Sequence, residues 1–429
     1  METVSNQVQD RSKLLIKALL IAGLIILLSI PSYFVRNLIT EREARQQEAF
    51  EEVSSKWAGS QTITPAVLVL PYADTIINDK GEKQTFRKLA YVLPDSLQMD
   101  AIVKPEERHR GIYQVMLYSS QMKIKGRFGS IPLQQLKLDA GSILWNEAYV
   151  LFGITDVKGL KDEVHLQWNG RDLSMNPSIE DSGLFKEGFS TPVEITEAGN
   201  IDFTSTLNFN GSKQLAFTPV GKETTVKLSS TWPDPSFIGG QLPDYRINGE
   251  GFTATWRSLS QTHPFPQAWK ENLVNLEASS FGTDLYIPVN GYQKTMRSVK
   301  YAMLCIVLTF AAFFIIETVN KRSVHPFQYG LIGLALILFY TLLLSISEYT
   351  GFNGAYVISS VATIALIAWF VKGVLQSGRL TSILGALLVL LYSYVFTILQ
   401  LQDYSLLLGS IGLFLTLGVI MHFSKKVQW

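Results

Sequence analysis

The sequence predicts a membrane protein of the α+β class. It has six transmembrane helices, one N-terminal and five C-terminal, and a large antiparallel β-rich extracytoplasmic domain. Three observations predict it. The last third of the chain holds five apolar segments in close succession, at 299–316, 327–346, 355–371, 383–399 and 406–422, almost free of charge. A further apolar run, 18–35, follows a short basic stretch. Between these regions, from 61 to about 286, apolar and polar residues alternate with a period of two.

Each C-terminal segment suits a bilayer core of ~30 Å, which takes roughly 20 helical residues at ~1.5 Å each. Within hydrocarbon every backbone amide must bond inside its own segment, so these runs are helices rather than strands. Taken in order, residues 1–17 form a cytoplasmic N-terminus with Arg11, Lys13 and Lys17. Residues 18–35 form the first span. The run continues past Pro31 without a small-residue cleavage site, which favours an uncleaved anchor over a signal peptide. Residues 36–59 read as a juxtamembrane helix, with Glu41 and Arg45 spaced for an i,i+4 pair and Phe50, Val53 and Trp57 on one stripe.

Residues 60–298 form the periplasmic β-rich domain. Ile201, Phe203, Leu207 and Phe209 alternate with Asp202, Thr204, Thr206 and Asn208, and Met122, Ile124 and Phe128 alternate with Lys123, Lys125 and Arg127. Phe252, Ala254 and Trp256 repeat the pattern, as strands with one buried and one wet face do. Asn169-Gly170, Asn210-Gly211 and Asn248-Gly249 are the pairs a type I′ hairpin turn selects, because both central residues need positive φ. The expectation is a sandwich or a pair of packed sheets, with loops at 183–188 and 231–243. Residues 299–424 are the five-helix bundle and 425–429 a cytoplasmic tail.

The net charge of +1 gives no argument for nucleic acid, and the single cysteine, Cys305, excludes an intrachain disulfide. Lys and Arg set the orientation. Arg11, Lys13, Lys17, Lys321, Arg322, Lys372, Arg379, Lys425 and Lys426 all fall on one side of a six-span chain, while the short connections at 347–354 and 400–405 carry none. The basic side is cytoplasmic, so both termini are expected inside and the β domain in the periplasm of a bacterium.

Several stretches carry a family resemblance. They are 57–72 (WAGSQTITPAVLVLPY), 152–159 (FGITDVKG), 219–242 (PVGKETTVKLSSTWPDPSFIGGQL), 251–256 (GFTATW) and 281–301 (FGTDLYIPVNGYQKTMRSVKY). In the membrane part they are 325–348 (HPFQYGLIGLALILFYTLLLSISE), 400–409 (QLQDYSLLLG) and the terminal Trp429. The chain resembles the CreD family of bacterial inner-membrane proteins nearly end to end. It departs from that pattern at Thr64, where glycine is expected, and at Asp234 and Tyr349, where histidine is expected. The resemblance implies a role in cell-envelope integrity and in tolerance of envelope-acting agents and β-lactams, often under two-component control, with no settled biochemical activity.

No enzyme motif is present. A phosphate loop would need glycine at Ala216, five before Gly221-Lys222. The five histidines, His109, His165, His263, His325 and His422, are scattered, and no Cys–His spacing suits zinc. No catalytic residue, metal ligand or cofactor is therefore assigned. The sequon at Asn210 reads as a hairpin turn. Ionisable groups beside a bilayer are the better lead, since burying one costs several kcal/mol without a partner. One candidate polar membrane site is Glu348, Asp403, Gln400 and Gln402, with Tyr392 and Tyr394 deeper; Glu348 and Asp403 share a depth and are expected to face each other. A candidate cytoplasmic-edge site is Glu317, His325 and Gln328. For both, the plainer reading is wetted residues that orient helix ends. Of Trp145, Trp168, Trp232, Trp256 and Trp269, most are expected in the β core. Trp232, Pro235 and Phe237 form a candidate contact loop for lipid or a partner.

Three functions remain open on the sequence. The first is a non-enzymatic envelope-integrity factor whose partners are the bilayer and an envelope lipid, glycan or protein. The second is a transporter or channel made by the bundle, which lacks a visible internal repeat or paired broken helices. The third is a membrane-embedded enzyme on a lipid-linked precursor, with Glu348 and Asp403 as acid and base.

Overall fold

The computed structural model describes residues 2–77, 83–177, 183–195, 200–271, 274–285, 291–320, 324–401, 407–412, 414, 418 and 421, with side chains from residue 16 onward. The chain divides into two compact units, Met1–Gln47 with Val289–Trp429, and Glu48–Pro288. It opens on α1 (Glu2–Trp57), one continuous helix that holds both the first apolar run and the polar stretch after it. Glu41 and Arg45 pair across one turn at 2.7 Å.

Among its described residues the second unit is two eight-stranded sheets. The first contains β1 (Gln61–Ile77), β2 (Lys83–Val92), β5 (Tyr149–Ile154), β8 (Gly188–Pro192), β10 (Gln214–Phe217), β12 (Ser236–Gly239), β15 (Ala268–Lys270) and β16 (Phe281–Asp284). The second contains β3 (Ser96–Arg110), β4 (Tyr113–Phe128), β6 (His165–Trp168), β7 (Arg171–Ser174), β9 (Ile201–Ser212), β11 (Glu223–Ser230), β13 (Asp244–Asn248) and β14 (Gly251–Leu259). A single helical turn, α2 (Leu133–Leu136), packs against β15. Buried side chains of both sheets form one continuous apolar core. Along β9, Ile201, Phe203, Leu207 and Phe209 turn inward and the residues between them outward, as the alternation requires. Trp256 of β14 is fully buried and joins the sheets: it stacks on Phe281 of β16 at 5.4 Å and meets Phe237 of β12 at 5.8 Å.

Three local expectations are corrected. The sheets are not wholly antiparallel, since β1 runs parallel to β10 and β3 parallel to β11. The loop expected at 231–243 contains strand β12, which pairs with β16 although it is only four residues long. Of the three Asn-Gly pairs, Asn169-Gly170 makes the expected turn, with φ of 48° and 81°. Asn248-Gly249 does not: Asn248 pairs with Gly251, and its side chain accepts the Glu250 N–H at 3.2 Å. Asn210-Gly211 lies inside β9, opposite Ser119 and Tyr118. There glycine serves a close approach, because a Cβ would collide with the Tyr118 hydroxyl, which donates to Gln214 O at 2.7 Å.

The first unit continues with α3 (Gly291–Lys300), α4 (Ala302–Val319), α5 (Pro326–Leu375) and α6 (Gly378–Gln400). Within α5, Gly351 leaves helical geometry at φ 74° and ψ 165°. The rings of Phe339 and Tyr356 lie 5.3 Å apart. In a straight helix residues so spaced would be about 25 Å apart, so α5 folds back on itself at Gly351. The expected segments 327–346 and 355–371 are its two limbs. Among the described residues, four helices are long and apolar enough to cross a membrane, one N-terminal and three C-terminal. The segment expected at 406–422 is described only at 407–412, 414, 418 and 421.

Two measurements test the β unit. Gly211→Ala should lower stability by about 1–3 kcal/mol through overpacking and loss of the Tyr118 bond, read as a lower melting temperature of the full chain in detergent. Burial depresses the His263 imidazole below its ordinary value of 6.5, while its Nε2 stands 2.9 Å from Ser258 Oγ. The unfolded chain takes up that proton before the folded one does. Stability should therefore fall as pH drops below 6.5 and level off above it, and His263→Asn should flatten that slope.

Candidate functional site

Two polar clusters stand within the helical unit, each built around one carboxylate. Glu317 lies in the last turn of α4 and is 5% exposed. Lys17 of α1 forms an ion pair with it and also donates to Val324 O at 2.6 Å. Glu317 receives two more donors, Val324 N–H at 3.0 Å and the Tyr329 hydroxyl at 2.8 Å. Tyr329 is fully buried against Phe310 and Phe313. Three donors from three segments thus converge on this one carboxylate.

His325 and Gln328, expected beside Glu317, form the capping box of α5 instead. His325 Nδ1 accepts the Phe327 N–H at 3.2 Å, and Gln328 Oε1 accepts the His325 N–H at 3.1 Å. Pro326 has no N–H, so two of the three free amides at that helix start are thereby satisfied.

The second cluster centres on Glu348, three residues before the fold at Gly351. Its carboxylate accepts the Tyr292 hydroxyl at 2.9 Å and faces Arg42 Nε at 3.9 Å, with 9% of the side chain exposed. Gln400 donates to Asn353 Oδ1 at 2.7 Å. Asp403 and Gln402 lie outside the described residues, so the expected Glu348–Asp403 pair is not part of this description. Lys17, Tyr329, Arg42 and Tyr292 are the functional partners that sequence reasoning missed. In the sequence Lys17 is one of several bases on the same side, and nothing local marks it as the partner of Glu317.

Deeper in the unit, Tyr392 packs on Phe339 at 4.6 Å and its carbonyl accepts the Tyr356 hydroxyl at 2.9 Å. The Tyr394 hydroxyl bonds Leu408 O. Among the described residues no group of three or more His, Cys, Asp and Glu side chains could hold a metal ion.

In the β unit the resemblance motifs meet one another. Gly59 N–H bonds Asp156 Oδ2 at 3.0 Å, and the Gln61 side chain bonds the backbone of Asp156 and Asn210. A second meeting place surrounds Trp256, whose indole donates to Gln241 O at 3.1 Å. Trp232 and Phe237 are half-buried against the core, and the Trp232 indole donates to Asp234 O at 2.9 Å. Of the departures from the family pattern, Thr64 is buried and its hydroxyl meets Thr218 Oγ1 at 2.7 Å, whereas Tyr349 is exposed.

The chain matches the family model described as Inner membrane protein CreD over residues 13–429. It is 30% identical over 431 residues to the Inner membrane protein CreD of Escherichia coli (strain K12), an alignment that covers 98% of this chain and 94% of that protein.

Glu317→Gln should leave Lys17 without its counter-charge and cost on the order of 3 kcal/mol. Lys17→Met together with Glu317→Gln should recover most of that loss. Thermal unfolding in detergent checks both; equal losses in the single and double variants would exclude a structural ion pair.

Proposed function

We propose, from the premise that this chain belongs to the CreD family of inner membrane proteins, that it is a non-enzymatic factor supporting the integrity of the cell envelope. In this reading the helical unit is an anchor of six crossings: α1, α4, the two limbs of α5, α6 and the segment at 406–422. Both flanks are cytoplasmic and the β unit is periplasmic, as the Lys and Arg distribution favours. The β unit is the working surface and takes an envelope lipid, glycan or protein.

The observation that carries the non-catalytic reading is that both membrane-edge carboxylates are tied to side chains of neighbouring helices. Glu317 accepts from Lys17, Tyr329 and Val324, and Glu348 from Tyr292 beside Arg42. They read as ties between helices rather than as an acid and a base. The break in α5 does not favour transport, because it reverses the chain between two limbs rather than interrupting one crossing.

Two outcomes test the reading. The only native cysteine is buried, so Tyr245→Cys on an exposed strand supplies a clean label. A membrane-impermeant maleimide should modify it in intact spheroplasts, and modification only after lysis would reverse the topology. In cells challenged with an envelope-acting agent, Glu348→Gln should retain protection in proportion to the folded protein present. Complete loss of protection at normal folded levels would point to chemistry at Glu348.

A further inference from the structure

We propose that a groove between α1 and the start of α5 seats the headgroup of an anionic phospholipid of the cytoplasmic leaflet. The leaflet rests on the topology proposed above; the groove does not. Its volume is about 430 Å³, and it is lined by Ile16, Lys17, Leu20, His325, Pro326 and Gln328.

The hydrogen bonds already made there fix what the lining can still offer. His325 Nδ1 accepts a backbone N–H, so the neutral ring carries its proton on Nε2 and presents a donor. Gln328 Oε1 is taken by the His325 N–H, which leaves its amide nitrogen as a donor. An ammonium has three N–H bonds, and Lys17 spends one on Glu317 and one on Val324 O, with no third partner among the described residues. The carboxylate that could have served as an acceptor, Glu317, is itself engaged by Lys17, Val324 and Tyr329. The polar side chains of the lining are therefore left with donors to offer. That complements an oxyanion and disfavours a cationic ligand.

Charge along the sequence has the same sign. Residues 11–17 and 318–328 contain Arg11, Lys13, Lys17, Lys321 and Arg322 and no Asp or Glu. Of the apolar lining, Ile16 and Leu20 are turned outward, 58% and 53% exposed, while Val324 is buried at the floor of the polar end. An oxyanion end beside an open apolar end matches an amphiphile, a phosphodiester with its acyl chain along α1, better than a free anion.

The test uses the full chain in detergent, titrated with phosphatidylglycerol or with phosphatidylcholine of the same acyl chains, and reads bound lipid by native mass spectrometry. Phosphatidylglycerol should be retained in preference. Ile16→Glu, which adds one like charge at the outward rim, should weaken that retention about fivefold, the effect of one charge near a membrane surface. Ile16→Lys should hold retention at the native level or raise it, and because its charge is opposite, it separates an electrostatic effect from a folding defect. Equal retention of the two lipids, or equal losses in both variants, would overturn the proposal. Competition by glycerol 1-phosphate at concentrations matching the lipid would show that a free phosphate suffices and would overturn the lipid assignment. Labelling of Tyr245→Cys reports topology separately, so failure of the topology moves the groove to the other leaflet without removing its donors.

Discussion

Hydrocarbon supplies no water to an ionised side chain, so charges at the membrane's edges must find partners within the protein. The helical unit meets this constraint twice on α1. Lys17 pairs with Glu317, and Arg42 faces Glu348. The two basic residues are separated by about 37 Å along the helix axis, slightly more than the ~30 Å thickness of a bilayer core. The apolar stretch of α1 between the two ties is long enough to cross a bilayer core and packs against α5. There, Gly330 and Gly333 of α5 receive Leu24 and Leu28 of α1, and a Cβ at Gly333 would collide with Leu28 and Phe310. Small residues at the crossing let the helices approach, and dispersion rather than water release then holds them. The first span is in this sense part of the bundle, although some 250 residues of sequence separate it from the others.

The β unit answers a different constraint. Its backbone polar groups are satisfied laterally by the strand ladders, and the two sheets are held by apolar side chains between them. Trp256 and the aromatic residues around it form one joint, and the meeting of Gly59, Gln61 and Asp156 forms another. Each joint is made from stretches far apart in sequence that carry the family resemblance. Such motifs have a sufficient explanation in structure: Gly159 lies where a Cβ would press on Asn210 O and Gln61 Nε2, and Asp156 caps the turn through the Lys158 N–H. Resemblance at these positions is evidence of a shared fold and carries no chemistry with it.

What the sequence made legible was periodicity, because periodicity is set by burial. The inward residues of β9 and β14 and the apolar limbs of α5 all follow from it. Turn chemistry was less reliable. Asn210-Gly211 and Asn169-Gly170 are the same dipeptide, yet one is glycine chosen for positive φ and the other glycine chosen for closeness to Tyr118. Local sequence cannot separate these causes, since the second depends on a residue almost a hundred positions away. Strand β12 was hidden for a related reason. Four residues between prolines and glycines have no period to display, and only the presence of β16 beside them makes a strand. The candidate carboxylates were found by their cost in a membrane. Their partners were not, because pairing across helices is set by helix rotation, which hydropathy does not encode.

The pairing of Glu317 and Glu348 with basic residues of α1 also bears on where a working surface can be. Moving either side chain away from its partners would expose an unpaired charge. The two contacts tie α1 to the other helices of its unit. The β unit has freer surface. Strand β13 is the edge of its sheet and every residue in it is exposed, with Tyr245 and Ile247 among them and Leu242 just before. Such an edge offers unpaired amides and carbonyls to another chain. Here Pro243 precedes the strand, and Asp244 and Arg246 sit within it. The proline and the two charged residues thus limit pairing of this edge with a generic strand.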